Sequence, residues 1–122
     1  MKSLALVVLG GALGTLSRFG VNEALPDDGL FPLATFIVNV VGSFALGVLL
    51  AVVLTRRDES LRLLLGTGFL GGFTTYSALA VETDTLLRAD HVGLALAYAI
   101  GTVIAGMAAA LAGVAVGSKA RP

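Results

Sequence analysis

The residues best placed to do chemistry lie in the stretch 66–82, GTGFLGGFTTYSALAVE, which is apolar enough to enter a bilayer yet carries glycines, hydroxyls and a closing carboxylate. Residues 61–81 are enough to cross about 30 Å of hydrocarbon as a helix. Within them, Gly66, Gly68, Gly71 and Gly72 are followed by Thr74, Thr75 and Ser77, so poor helix formers crowd into a few turns. A break at membrane depth frees backbone N–H and C=O groups, tolerable only where protein, an ion or a water-filled cavity satisfies them. The chemistry to expect there is ion binding. Taken singly, each residue also has a structural reading, because glycines allow close helix packing and Thr or Ser can bond back to its own helix.

Other polar residues interrupt the apolar runs. Arg18 lies inside the first, either snorkelling to the interface or acting as a buried cation that draws anions into a water-filled vestibule. Thr35, Asn39 and Ser43 recur every four residues and so share one helical face. For Ser43 interhelical hydrogen bonding suffices. Asn39 points to function, because its amide has two N–H donors to offer an anion and is costly in hydrocarbon if they are unused. Tyr98, Thr102 and Gly106 share a face of the last apolar run, with Tyr98 readable as an interfacial anchor and Thr102 the better contact for a permeant species. Glu82 either ends the third span at the interface or enters the permeation path. His91 beside Asp90 reads as a solvent-exposed loop residue.

The elements that must position these groups are membrane helices. Of 122 residues, 57% are hydrophobic and 13% charged, outside the range of soluble domains. There is no cysteine and one histidine, which excludes disulfides and both thiolate and multi-histidine metal sites. The net charge is zero, and the Lys and Arg residues mostly flank apolar runs, which argues against nucleic-acid binding. The expected fold is all-α, a single domain over 1–122 with four spans at 4–21, 31–54, 61–81 and 92–116, the third broken near its middle. Between them run an acidic turn with Pro26 and Gly29, the charged turn TRRDES, and a polar connection from Glu82 to His91. The tail GSKARP reads as flexible.

Three stretches, GGALGTLSR at 10–18, TFIVNVVGSFALG at 35–47 and GTGFLGGFTTYS at 66–77, occur in this order across nearly the whole chain. Together they resemble the CrcB or Fluc family of fluoride channels. The resemblance implies a passive fluoride channel, not an enzyme, in a prokaryotic cell (inner) membrane. It implies an antiparallel dimer with two fluoride paths along the subunit boundary. It assigns Asn39 as the amide donating to fluoride, Thr35 as the hydroxyl one turn before it, and Arg18 as the vestibule arginine. Thr75, Ser77, Tyr98 and Thr102 resemble a polar track, and Glu82 the acid following the third-helix motif. The backbone carbonyls of Gly71 and Thr74 resemble ligands of a central structural sodium ion. Where the family reads TTFSTF, with two phenylalanines facing the ions, this chain reads TTYSAL, so Tyr76 keeps an aromatic edge and Leu79 does not.

Two other readings stand beside it. A small four-helix multidrug or cation exporter needs a titratable carboxylate within a span, and only Glu82, at an edge, is available. A non-conducting partner subunit of a heteromeric channel is consistent with Leu79. Orientation has its own signal. Four spans put Lys2, Arg56, Arg57, Arg62, Lys119 and Arg121 on one side and Arg88, with Arg18 near it, on the other, which predicts cytoplasmic termini. A fixed orientation makes an antiparallel pair a heterodimer with a paralogue of reversed bias.

Overall fold

A computed structural model describes residues 1–25, 31–56 and 58–119, without the side chains of 54–56. Pro26, Gly29, Arg57 and Arg121, to which the sequence assigns turn or topology roles, lie outside the described residues, as does the side chain of Arg56. Among the described residues every element is helical. Helix α1 is Lys2–Ala24 and α2 is Leu33–Arg56. The third span begins with α3 (residues 59–73), which is α-helical at Glu59–Leu61, π-helical at Arg62–Leu70 and α-helical again at Gly71–Phe73. After a break it continues as α4, Tyr76–Arg88, and α5 is Val92–Lys119. Among the described residues, four helical stretches are long and apolar enough to cross a membrane.

Two helix pairs carry the packing, and in each glycine lets backbones touch. Helix α1 lies against α3, where a Cβ on Gly14 would overlap the carbonyl oxygen of Phe69 and one on Gly72 that of Gly11. Helix α2 lies against α5, where a Cβ on Gly47 would overlap the Ala110 carbonyl oxygen and one on Gly113 that of Phe44. Small residues at these points substitute close van der Waals packing for the hydrophobic drive that lipid does not provide. Leu4, Val8, Leu13, Ile100, Ile104 and Leu111 are exposed in the protomer, an apolar surface of the kind a membrane protein presents.

The third span breaks one turn beyond the glycine pair. Thr74 (φ −80°, ψ 157°) and Thr75 (φ −147°, ψ 115°) are extended, a conformation that suits β-branched residues. Thr75 then caps α4, its Oγ1 accepting from the Ala78 N–H at 3.1 Å.

Three expectations need correction. The polar connection from Glu82 to His91 is mostly helix: α4 runs to Arg88, so Glu82 and Asp84 are helical, and the reversal is confined to 89–91 with Asp90 left-handed at φ 63°. Aspartate tolerates that conformation better than most side chains. His91 is half-buried there, and its N–H donates to the Leu86 carbonyl at 2.9 Å. The tail is helical through Lys119, because Gly117, which read as loose, continues the packed face of α5, buried against Val48 and Ala51.

Candidate functional site

At the break, particular side chains meet several of the backbone groups that the helix gives up. Asn39, from α2, forms a two-pronged contact with Thr75: its Oδ1 accepts the Thr75 N–H at 2.9 Å and its Nδ2 donates to the Thr75 carbonyl at 3.0 Å. Arg18, from α1, donates through Nε to the Gly72 carbonyl at 3.2 Å. Thr74 folds back on α3, its Oγ1 donating to the Leu70 carbonyl at 2.8 Å.

These bonds redirect two donors with a consequence for cations. In an unbroken helix the Thr75 N–H would serve the Gly71 carbonyl and the Ala78 N–H would serve the Thr74 carbonyl. Asn39 takes the first and the Thr75 hydroxyl takes the second. The carbonyls of Gly71 and Thr74 therefore lose their helical partners, and both residues line the same open groove. Uncharged hard oxygens of this kind suit an alkali cation. Among the described residues no cluster of His, Cys, Asp or Glu could hold a metal instead.

The groove has a volume of about 540 Å³, far more than one small anion fills. Asn39, Ser43 and Thr102 line it together with Thr75, Tyr76 and Leu79. Tyr76 is 83% exposed, its ring bare in the single protomer. Leu79, besides lining the groove, packs on the cluster of Leu86, Ala95 and Tyr98.

Above it, Thr35, Glu82 and Tyr98 meet. The Thr35 Oγ1 donates to Glu82 Oε1 at 2.6 Å. Tyr98 is fully buried, so it is not an interfacial anchor; its hydroxyl lies beside Thr35 and Glu82 with no well-formed hydrogen bond among the described residues. Its ring meets Phe31 edge to face, with centroids 5.3 Å apart at 83°, and Phe31 meets Phe36 at 5.6 Å and 64°. Phe31 and Phe36 are the participants that sequence reasoning missed. Helix α2 places Phe36 next to Thr35, but no spacing rule marks the two as a pair around Tyr98. Phe69 and Phe73 stack on each other at 6.0 Å, and Phe73 is buried, as core packing requires.

Counting protons shows which hydroxyls are available to an anion. Ser43 donates to the Asn39 carbonyl at 2.7 Å, within its own helix and not across helices as expected, and Thr102 donates to the Tyr98 carbonyl at 2.6 Å. With Thr35 and Thr74 also engaged, the uncommitted donors are the second N–H of Asn39, the Tyr98 O–H and one proton of the Thr75–Ser77 hydroxyl pair, whose oxygens are 3.3 Å apart. The site is therefore a short series of donors around a broken helix. Of the predicted residues, Asn39, Gly71, Thr74, Thr75, Tyr76, Leu79 and Thr102 line the groove, whereas Thr35, Ser77, Tyr98, Glu82 and Arg18 do not.

Residues 5–114 match the family model described as CrcB-like protein, Camphor Resistance (CrcB). The chain is 47% identical over 122 residues to the fluoride-specific ion channel FluC 2 of Leifsonia xyli, covering 96% of this chain and 84% of that protein. It is 44% identical over 115 residues to the fluoride-specific ion channel FluC of Paracoccus denitrificans, with 91% and 90% covered. It is likewise 44% identical over 117 residues to that of Gloeobacter violaceus, with 93% and 94% covered.

Proposed function

Since this chain belongs to the CrcB family, whose matched relatives are fluoride-specific ion channels, we propose that it is a subunit of a passive fluoride channel that lowers cytoplasmic fluoride. Membership sets aside the multidrug-exporter reading. The observation that carries the proposal is the break at Thr74–Thr75, held by Asn39 in a way that commits one of its N–H groups and leaves the other for the groove. Fluoride is small and strongly hydrated, so its path must replace water with donors placed closely in sequence. Asn39, the Thr75–Ser77 pair and Tyr98 supply them, and Thr102 joins by turning its hydroxyl from the Tyr98 carbonyl. Glu82 repels an anion as a bare carboxylate; by accepting from Thr35 it holds that hydroxyl ready to turn toward fluoride. The aromatic edges of Tyr76, Phe31 and Phe36 assist through the positive rim of the ring.

A groove this wide needs a cover. A second subunit laid into it in the opposite sense narrows it to ion width and hides Tyr76, giving an antiparallel dimer. The Gly71 and Thr74 carbonyls of both subunits would then hold a sodium ion, four oxygens in all. When bound, that ion supplies a fixed positive charge at the centre of the assembly.

A second reading concerns the partner, and charge favours it. The side with Lys2, Arg62 and Lys119, together with Arg56, Arg57 and Arg121 of the sequence, faces an opposite side with Arg88 and Arg18. That bias favours one orientation in the cell membrane, termini cytoplasmic, and a heterodimer with a paralogue inserted the other way. C-terminal reporters active only in the cytoplasm or only outside separate the cases: equal signals mean dual insertion and no need of a partner.

Liposomes holding this chain alone, loaded with fluoride or chloride, test the function. Release of fluoride without chloride is expected. Comparable chloride release contradicts the proposal, and release of fluoride only after a paralogue is added identifies the non-conducting partner.

A further inference from the structure

Arg18 differs from the other predicted polar residues in bonding the third span from α1. It does not line the groove, and it reaches α3 on the flank that faces α1, where Gly72 packs against Gly11 and Thr15. There its Nε, and not a terminal guanidinium nitrogen, donates to the Gly72 carbonyl at 3.2 Å. Gly72 belongs to the last turn before the break, so its carbonyl is among those a helix terminus leaves without a downstream N–H. The neighbouring residue Gly71 lines the groove, and the helical donor of its carbonyl is diverted to Asn39. Of two adjacent carbonyls, one is thus bonded to arginine and the other has lost its helical donor.

We propose that Arg18 is a positioning residue for the cation site: by bonding the Gly72 carbonyl through Nε it caps the first half of the broken helix and fixes the direction of the Gly71 carbonyl. This rests on the reading of Gly71 and Thr74 as sodium ligands. It assigns Arg18 a role that a vestibule charge does not have, because the bond depends on a donor at one point along the side chain. Glutamine places its Nε2 at the same distance along the chain as arginine places Nε, without the charge. Lysine keeps the charge but has a methylene there, its ammonium lying one atom further out. Methionine has neither donor nor charge.

The test uses the assembled protein in detergent, and its readout is thermal unfolding against sodium chloride concentration, with choline chloride keeping ionic strength constant. Wild type should be stabilised by sodium in a saturable way. Arg18→Gln should keep the wild-type half-saturating sodium concentration, whereas Arg18→Lys and Arg18→Met should raise it roughly tenfold, the scale of losing one hydrogen bond from a charged donor. If lysine preserves the sodium response and glutamine loses it, the charge is what matters and the positioning role is wrong. If all three variants respond as wild type does, the Gly72 bond does not set the site. Absence of sodium-specific stabilisation in wild type overturns the sodium reading itself, and the proposal with it, so the two failures are distinct.

Discussion

The α1–α3 and α2–α5 pairs are built alike and end differently. Both bring glycine backbones into contact with a neighbouring carbonyl: Gly14 with Phe69 and Gly72 with Gly11 in one pair, Gly47 with Ala110 and Gly113 with Phe44 in the other. Yet α2 and α5 each run unbroken, while α3 is wound as a π-helix over Arg62–Leu70 and stops at Phe73. Glycine alone therefore does not break a membrane helix. The pair that breaks has two adjacent threonines after its glycines and, from other helices, Asn39 and Arg18 to take up the freed backbone groups.

The largest effect should follow from removing the side chain that sustains the difference. Asn39→Asp keeps the shape but sets a carboxylate against the Thr75 carbonyl, losing a hydrogen bond and adding a repulsive charge, together worth about 3 kcal/mol or more. Fluoride efflux should fall roughly a hundredfold or more, the rate equivalent of that energy. Wild-type flux from an assembled Asn39→Asp protein would show that the break does not depend on Asn39.

Sharpening the comparison takes one glycine from each pair. Gly72→Ala and Gly113→Ala each drive a Cβ into a backbone carbonyl and should each destabilise the protein by about 1–3 kcal/mol in thermal or denaturant unfolding. Their functional effects should diverge. In folded protein Gly113→Ala should conduct normally, whereas Gly72→Ala displaces the last turn before the break and should lower the flux. Equal loss of flux would mean that both pairs shape the path.

A smaller effect belongs to the Thr35–Glu82 contact. Thr35→Val removes a donor at 2.6 Å from a half-buried carboxylate, which costs about 1–3 kcal/mol. Efflux measured by fluoride electrode should drop roughly tenfold while chloride exclusion stays intact. Chloride leakage would instead place Thr35 in selectivity.

The smallest effect lies outside both pairs. A Cβ on Gly101 meets nothing within 4 Å in the protomer, so Gly101→Ala should raise the melting temperature slightly, by up to about 1 kcal/mol of helix propensity. A fall in stability would show that the assembled partner packs on that face of α5.

These contrasts also mark what was legible in the sequence. Four apolar helices and a break near GGFTT follow from composition and propensity, because lipid leaves a chain few alternatives. Period-four spacing put Thr35 and Asn39 on one face, which the structure uses. It did not show that Asn39 binds the Thr75 peptide, a contact between residues 36 apart in the chain that no local rule anticipates. The same holds for Arg18 and Gly72, 54 apart, and for the aromatic ring contacts around Tyr98. Helix ends were misjudged where charge suggested a loop: Glu82 and Asp84 are carried by α4 because Thr75 caps it and Arg88 pairs with Asp84 at 2.8 Å.

The central claim is that one N–H of Asn39 holds the break and the other serves fluoride. The chain has two asparagines, Asn22 and Asn39, and no glutamine, so its side-chain amide region holds only two pairs of signals in a nitrogen–proton NMR spectrum. On addition of fluoride, but not chloride, one proton of the Asn39 pair should shift and show coupling to the fluorine nucleus through the hydrogen bond, while its twin, bound to the Thr75 carbonyl, stays in place. Movement of both protons together, or of neither, would contradict the account.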